Sequence, residues 1–320
     1  MRYRTLGRTG LDVSVICLGT MQFGWTADEP ASFRILDAYL EAGGNFLDTA
    51  DIYSYWSSKS YAGKTEEILG RWIADRKNRD RFILATKVEG RMWDGPDGEG
   101  LGRAHVLRAV EDSLRRLRTD HIDLYQTHRP DPDTSHEETL DVMDRLVREG
   151  KVRHIGCSNY SAGDLRESLS VSRAKGCVRF ESHQPYYNLG GRAEFEEALL
   201  GLCGEEEIGV IPYSPLAGGF LTGKYRRDEK PADSDRMTDI RMRYLDDRGY
   251  GIVEKSEEIG RSRGVSTAAV SLGWLLSRAA VTAPIIGANS VEQLRESLQA
   301  GDLVLSPEEV AELDRVSAPA

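Results

Sequence analysis

The feature that most constrains the fold is an alternation of short apolar runs with longer amphipathic segments, repeated along nearly the whole chain. The short runs are rich in β-branched residues and predict buried strands, whereas the longer segments carry apolar residues at helical intervals. The first pair is a strand at 13–20 followed by a helix at 31–42. Such an alternation is typical of βα units, whose parallel strands are buried on both faces.

The alternation predicts eight strands and ten helices. The strands are predicted at residues 13–20, 45–49, 81–87, 122–126, 152–157, 178–183, 208–212 and 282–286. The helices are predicted at residues 31–42, 65–75, 104–117, 136–149, 162–174, 192–203, 252–263, 267–277, 291–300 and 306–316. Residues 2–12 carry two glycines and predict a hairpin before the repeat, and the polar residues 221–247 predict a long loop that serves a site.

Eight alternating units predict an α/β fold, a (β/α)8 TIM barrel with an N-terminal β-hairpin and extra C-terminal helices. Residues 1–320 are expected to form one domain, since barrels of this length occur as single units. The first strand is not followed by Gly-x-Gly-x-x-Gly, and this disfavours a doubly wound sheet.

The charge of the chain limits its partners. With 52 acidic and 42 basic side chains, the net charge is −10, which argues against nucleic acid or an anionic membrane as a partner. The first residues lack the apolar run of a signal peptide, and no segment approaches the roughly 18 apolar residues of a membrane span. A soluble, cytoplasmic protein is therefore expected, and its oligomeric state stays open.

The cysteines and histidines do not form a metal-binding pattern. Cys17, Cys157, Cys177 and Cys203 make no Cys-x-x-Cys pair, and the six histidines make no His-Glu-x-x-His sequence. We therefore expect reduced, packing cysteines and no metal site.

Polar side chains stand where the predicted strands end, which is the end that forms the active site of a parallel barrel. They are Asp48, Lys87, His128, Ser158, Asn159, Gln184, Tyr213 and Ser214, with Tyr53 on the loop after Asp48. Each has an ordinary alternative role: Asp48 could cap a turn, Tyr53 could pack, and Lys87 and His128 could be structural. Their occurrence on adjacent strand ends favours a shared site.

Four of these residues suit proton transfer. A nearby ammonium stabilises a phenolate, so Lys87 should lower the pKa of Tyr53. Asp48 should keep Lys87 charged by pairing with it, and His128 could orient a substrate oxygen or donate to it. The set fits an oxygen that becomes negative, as when hydride adds to a carbonyl.

Segments 46–53, 85–88, 123–130, 150–160, 184–188 and 212–224 carry a further signal when taken together and in order. They resemble the aldo-keto reductase family, in its bacterial and potassium-channel β-subunit-like branch. The resemblance implies an NAD(P)H-dependent oxidoreductase that reduces an aldehyde or ketone to an alcohol by hydride transfer. It assigns catalysis to Asp48, Tyr53, Lys87 and His128, with Tyr53 as the proton donor.

The resemblance also implies a cofactor, NADP(H) by preference and NAD(H) as the alternative. Its expected contacts are Gly19, Thr20, Met21, Asp48, Ser158, Asn159, Gln184, Tyr213, Ser214, Leu216, Gly218, Gly287, Asn289, Gln293, Glu296 and Ser297. Tyr213 would stack on the nicotinamide. Gly287 and Gln293 depart from the family, because a lysine and an arginine often grip the 2′-phosphate there. Ser290 and Gln293 predict a helix cap, whose free amides can still hold phosphate.

The substrate is expected to be a small carbonyl compound, with sugars and small aldehydes as candidates. Trp25, Tyr55, Trp56 and Trp93 are predicted to line its pocket, although loop aromatics could equally pack on the barrel. Two other functions stay open: a non-enzymatic NADP(H)-binding regulatory or sensor subunit, and a Schiff-base enzyme with Lys87 as nucleophile. Pairing with Asp48 argues against the last, because it keeps the amine protonated.

Overall fold

The apolar runs form eight parallel strands in a computed structural model that describes residues 1–58, 60–227 and 237–319. The strands of the large sheet lie side by side in chain order, and the last of them pairs with the first. They are β3 (Cys17–Gly19), β4 (Phe46–Asp48), β5 (Ile83–Val88), β6 (Ile122–Thr127), β7 (Val152–Ser158), β8 (Phe180–Gln184), β9 (Gly209–Val210) and β10 (Ile285–Ile286). The predicted α/β barrel is confirmed.

Backbone hydrogen bonds close the barrel between its last two strands. The N–H of Thr282 donates to the carbonyl of Val210 at 2.7 Å, and that of Ile285 donates to Pro212 at 2.9 Å. β10 then pairs with β3, so the sheet returns to its first strand. Closure removes the exposed edges that an open sheet would have.

Helices cover the outside of the barrel. They are α1 (Glu29–Glu41), α2 (Lys64–Arg76), α3 (Arg103–Leu117), α4 (His136–Arg148), α5 (Ala162–Lys175), α6 (Ala193–Ala198), α7 (Leu200–Glu205), α8 (Met237–Tyr244), α9 (Asp247–Arg263), α10 (Thr267–Leu276), α11 (Val291–Leu298) and α12 (Pro307–Val316). The extra C-terminal helix α12 begins as predicted, with Ser306 as its cap and Pro307 in its first turn. Among the described residues, no helix is long and apolar enough to cross a membrane.

Two predicted segments were wrong. The helix predicted at 192–203 is two short helices that meet at Leu199, where φ of −114° and ψ of −29° depart from regular helix geometry. The loop predicted at 221–247 contains α8 and the start of α9, while residues 228–236 lie outside the described part. α8 forms because it buries Ile240 and Tyr244, and the Tyr244 ring stacks on Phe220 at 5.5 Å.

The predicted N-terminal hairpin is confirmed, and it extends further than expected. Its strands are β1 (Tyr3–Thr5) and β2 (Asp12–Ser14), paired antiparallel. β2 therefore takes residues that were assigned to the first barrel strand. The chain turns there because the Ser14 hydroxyl bonds the carbonyl of Ile16 and the hydroxyl of Tyr39.

The hairpin also joins the two ends of the chain. Arg2 donates from Nε to the carbonyl of Gly301 and from Nη2 to that of Leu303, each at 2.9 Å. Arg4 donates to the carbonyls of Val281 and Leu276. The first strand is thus fixed to segments that lie nearly three hundred residues later.

The barrel interior is apolar at one end and polar at the other. An apolar cluster that includes Phe46, Ala85 and Leu124 fills one end. Two residues further along each strand, where side chains return to the same face, stand Asp48, Lys87 and Gln126. The strands therefore present their polar residues together at the C-terminal mouth.

Candidate functional site

Lys87 lies at the centre of a buried hydrogen-bonded cluster in the barrel mouth. Its side chain is fully buried, and Nζ donates to Oδ2 of Asp48 at 2.6 Å, to the carbonyl of Thr49 at 2.9 Å and to the hydroxyl of Tyr53 at 2.9 Å. An ammonium has three N–H groups, so all three are used. The Tyr53 oxygen accepts a hydrogen bond here, which leaves its O–H free to donate elsewhere.

The second oxygen of Asp48 is held by two glutamines. Oδ1 accepts from Nε2 of Gln126 and from Nε2 of Gln184, each at 3.0 Å. Gln184 also donates to Oε1 of Gln126 at 3.2 Å. We call Asp48, Tyr53, Lys87, Gln126 and Gln184 the Lys87 cluster. A buried ion pair is tolerated when its remaining hydrogen bonds are satisfied, and these glutamines satisfy those of Asp48.

Burial and charge act in opposite directions within the cluster. Burial lowers the pKa of Lys87, but the charge of Asp48 and the hydrogen bonds to Asp48 and Tyr53 outweigh it and raise that pKa above its ordinary value. Burial raises the pKa of Tyr53, Lys87 lowers it and Asp48 raises it again, with a net rise. The sequence predicted a net fall, which is wrong because it did not reveal burial. Tyr53 therefore keeps its proton at neutral pH.

His128 follows β6 and stands beside Tyr53, with ring centroids 5.9 Å apart. Its backbone N–H donates to the carbonyl of Val88 at 2.9 Å, which fixes it next to β5. Burial, together with the charges of Lys87 and Arg129, lowers the pKa of His128 to about 3. The ring is therefore a neutral imidazole, which offers one donor and one acceptor.

A cavity of about 640 Å³ opens where β7 and β8 end, and Asn159 and Pro185 lie in its wall. Five of the predicted cofactor residues line it: Met21, Asn159, Tyr213, Ser214 and Gly218. Asn159 donates to the carbonyl of His128 at 2.9 Å and accepts from the Tyr213 hydroxyl at 2.9 Å. The cavity therefore reaches Asn159, which contacts His128, and these two hydrogen bonds fix the orientation of the Asn159 amide and the Tyr213 phenol.

A second cavity of about 730 Å³ shares Gly218 with the first. Seven predicted cofactor residues line it: Leu216, Gly218, Gly287, Asn289, Gln293, Glu296 and Ser297. α11 begins at this cavity with Ser290 as its cap, and Gln293 accepts from the N–H of Asn289 at 2.9 Å. Both cavities have the size of small-molecule sites.

Residues 214–219, which we call the strap, lie between the two cavities. Ser214, Ala217, Gly218 and Gly219 all have positive φ, at 50°, 51°, 68° and 100°. Ser214 and Ala217 carry side chains in this left-handed region, which costs about 1–2 kcal/mol each. The strap thus turns sharply and brings bare backbone to the cavity walls.

Five predicted cofactor residues line neither cavity: Gly19, Thr20, Asp48, Ser158 and Gln184. Thr20 is buried and donates to the carbonyl of Asp48 at 3.0 Å. Ser158 donates to the carbonyl of Gln184 at 2.8 Å. The predicted contacts of these five residues with a cofactor remain predictions. In the structure, Thr20 and Ser158 connect the ends of neighbouring strands through their hydrogen bonds.

Sequence reasoning missed three residues of this region. Gln126 binds Asp48, and its strand position two residues before His128 could have indicated it. Gln22 lines the second cavity with its Oε1 buried and without a hydrogen-bond partner in the described part of the chain. Lys224 lines the same cavity, and a Cβ at Gly219 would lie 3.1 Å from its Nζ.

The predicted substrate aromatics separate into two places. Trp56 contacts Tyr53, Trp25 and Tyr55, with ring centroids 6.1, 5.5 and 5.3 Å apart. Trp25 also lines the second cavity. Trp93 is not brought to them, because its ring packs against His105 and Arg108 of α3.

Comparison with known proteins places the chain in a family. The model of the aldo/keto reductase family matches residues 15–318. The chain is 38% identical to the uncharacterized oxidoreductase YrpG of Bacillus subtilis (strain 168), over 96% of this chain and 93% of that protein. It is 34% identical to a probable voltage-gated potassium channel subunit beta of Oryza sativa subsp. japonica, over 99% of this chain and 96% of that protein.

A third relative is the norsolorinic acid reductase A of Aspergillus parasiticus, 32% identical over 95% of this chain and 78% of that protein. The match of the family model covers nearly every strand and helix of the barrel. The family, together with relatives named as an oxidoreductase and as a reductase, supports an oxidoreductase that reduces carbonyl groups. On this evidence, the chain belongs to the aldo/keto reductase family.

Proposed function

We propose that the protein reduces an aldehyde or ketone to an alcohol with NAD(P)H, and that Tyr53 donates the proton. The observation that carries this proposal is the direction of the hydrogen bond between Lys87 and Tyr53, in which the ammonium donates to the phenol at 2.9 Å. The Tyr53 proton is therefore available to a substrate oxygen. As that proton leaves, Lys87 stabilises the phenolate across the same hydrogen bond.

Asp48 and His128 complete the proposed proton transfer. Asp48 keeps Lys87 charged, and Gln126 and Gln184 hold Asp48 in place. His128 is neutral because its pKa is lowered to about 3, so it can donate a hydrogen bond to the substrate carbonyl without adding a positive charge. Two donors aimed at one oxygen stabilise the charge that develops there.

The two cavities suit an extended dinucleotide, which supplies the hydride when bound. Asn159, Ser158 and Gln184 would hold the carboxamide, and Tyr213 would stack on the nicotinamide ring. The bare backbone of the strap would face the pyrophosphate. Lys224 and the start of α11 would receive a 2′-phosphate, which favours NADP(H), with NAD(H) as the alternative.

The amide oxygen of Gln22, which has no hydrogen-bond partner among the described residues, supports this fit. It is buried in the wall of the second cavity, and a buried polar atom normally has a partner. A Cβ at Gly287 would lie 2.1 Å from Nε2 of Gln22, so glycine is needed there to make room for the amide. Gly287 thus accommodates Gln22 rather than replacing a cation.

The test is the loss of reduced-cofactor absorbance with NADPH and with NADH against a panel of aldehydes, ketones and sugars. Tyr53→Phe should lower kcat by about 10²–10⁴-fold, the usual contribution of a general acid, while cofactor binding measured by fluorescence stays close to that of the parent. Tyr3→Phe is the matched control, because its exposed hydroxyl bonds Gly43 far from the mouth. Equal rates in Tyr53→Phe and the parent would reject the mechanism.

A second candidate function is a regulatory subunit that binds NADP(H) without turnover. The similarity to a probable potassium channel β subunit favours it. Tight cofactor binding with no reduction of any compound in the panel would support it over the enzyme. A Schiff-base role for Lys87 is disfavoured, because an amine that donates three hydrogen bonds is protonated; borohydride trapping of a substrate on Lys87 would reverse that judgement.

A further inference from the structure

Arg129 stands beside the proposed reaction site with part of its guanidinium unused. It follows His128 directly, its side chain is 64% exposed, and its Nε donates to Oε2 of Glu89 at 2.7 Å. Among the described residues, its two terminal nitrogens have no hydrogen-bond partner. A guanidinium held by Nε presents those two nitrogens as a pair, which is the arrangement that binds a carboxylate through two hydrogen bonds.

The backbone that holds Arg129 is strained and firmly fixed. Glu89 has a φ of +131° although it is not glycine, a conformation that persists only when the surroundings impose it. Its carbonyl accepts from the N–H of Gly100 at 2.8 Å, and Asp131 accepts from the N–H of Leu101 at 2.7 Å. Both strand ends are thus tied to the same loop, and Glu89 is held against the guanidinium.

Arg129 also lies close to the aromatic side of the mouth. The Tyr53 ring lies 5.9 Å from that of His128, the residue before Arg129, and 6.1 Å from that of Trp56. Tyr55 and Trp56 are exposed, and their rings contact each other near Tyr53. A flat molecule whose carbonyl reached Tyr53 and His128 would therefore have aromatic rings and a guanidinium at its outer end.

We propose that Arg129 determines specificity by binding a carboxylate on the substrate, and that the protein prefers aromatic carbonyl compounds that bear an acidic group. This proposal rests on the proposed carbonyl reduction and names its substrate class. It assigns the terminal nitrogens of Arg129 to the carboxylate and the rings of Tyr55 and Trp56 to the aromatic body. Glu89 is a positioning residue, because it acts only through the guanidinium.

The experiment compares 4-formylbenzoate with its methyl ester, which differ in charge and share the aldehyde. The parent should show the higher kcat/KM for the carboxylate. Arg129→Met should lower the ratio of the two kcat/KM values about fivefold, as expected for one partly exposed ion pair. The change should appear in KM for the carboxylate, and added salt should reduce the preference of the parent.

Arg145→Met is the matched control, because Arg145 also donates from Nε to a glutamate, Glu149, at 2.6 Å and is 52% exposed, but lies on α4. It should leave the ratio unchanged. An unchanged ratio in Arg129→Met, or an equal fall in Arg145→Met, would overturn the proposal.

If no aldehyde is reduced, the carbonyl-reductase function fails and the role of Arg129 is decided by binding. Quenching of tryptophan fluorescence by 4-formylbenzoate and by the ester is then compared in the parent and in Arg129→Met. Weaker binding of the carboxylate alone in Arg129→Met would support the anion site. Equal binding of both compounds by both proteins would overturn it.

Discussion

The Lys87 cluster and the second cavity lie at the same end of the barrel and are built in opposite ways. In the cluster, each N–H of the Lys87 ammonium has a partner, and both oxygens of Asp48 accept hydrogen bonds. In the second cavity, Lys224 is exposed and the amide oxygen of Gln22 has no partner within the described residues. The polar groups of the Lys87 cluster are hydrogen-bonded within the protein, whereas the second cavity has polar groups that are available to a ligand.

Under the proposed function, the contrast separates groups that would act in the reaction from groups that would recognise a ligand. A proton donor must be fixed before the substrate arrives, because positioning during the reaction would cost rate. A binding wall gains affinity by leaving polar atoms that only the ligand satisfies. The barrel mouth therefore combines a centre whose polar groups are hydrogen-bonded within the protein with a second cavity whose polar groups are not all bonded. Substitutions in the two regions should affect stability and binding differently.

Removing the cation from the Lys87 cluster should have the largest effect. Lys87→Met would leave the Asp48 carboxylate buried without its partner, which costs about 3–5 kcal/mol for buried pairs. Urea unfolding followed by circular dichroism should show that loss in the free energy of unfolding. The double variant Lys87→Met/Asp48→Asn should recover part of it, because it removes the unpaired charge.

Lys175→Met is the surface control for that experiment, since Lys175 is paired with Glu137 and Asp141 in solvent. Its loss of stability should be much smaller. If the two lysine substitutions lower the free energy of unfolding equally, burial does not make the pair of Lys87 and Asp48 more important for stability than a surface ion pair.

A change of pH should have a smaller effect on the same region. The folded-state pKa of His128 is lowered to about 3 from an ordinary value of 6.5, so between these values the unfolded chain binds a proton that the folded protein excludes. The free energy of unfolding should therefore fall as pH drops from 7 to 5, with His128 contributing about 1–2 kcal/mol. His128→Asn should lose correspondingly less over that interval, and identical pH slopes for the two proteins would contradict the prediction.

The smallest effect is expected at the second cavity. Lys224→Met should raise the KM for NADPH about fivefold relative to that for NADH, as for an exposed charge contact. The unfolding free energy should hardly change, because Lys224 is exposed. Arg226→Met is the neighbouring control, and a similar loss with both cofactors would mean that Lys224 does not read the 2′-phosphate.

The sequence predicted those parts of the protein that depend on local pattern. The alternation of strands and helices predicted the barrel, and the two-residue period of a strand explains why Asp48, Lys87 and the glutamines meet. The helix α8 was missed because its polar sequence gives no strong periodicity, and packing of Tyr244 on Phe220 stabilises it. Contacts between residues that are distant in the chain cannot be predicted from the periodicity of a short segment.

The site shows a similar limit. The partnership of Lys87 with Tyr53 agrees with the expectation, but the net direction of the pKa shift of Tyr53 depends on burial, which residue types alone do not give. Trp93 was predicted to line the pocket together with the other loop aromatics, yet its ring packs against Arg108. Side-chain direction in loops is set by backbone turns that spacing cannot predict.

The arginines near the amino terminus have a consequence for how the chain is made. Arg2 and Arg4 donate to the carbonyls of Leu276, Val281, Gly301 and Leu303, which are synthesised long after the two arginines. Until then, the nascent sheet is an unfinished ring with a bare strand on each side, the kind of intermediate that is prone to aggregation. Residues 276–303 therefore complete the barrel late in synthesis, and removing them should expose β1 as well.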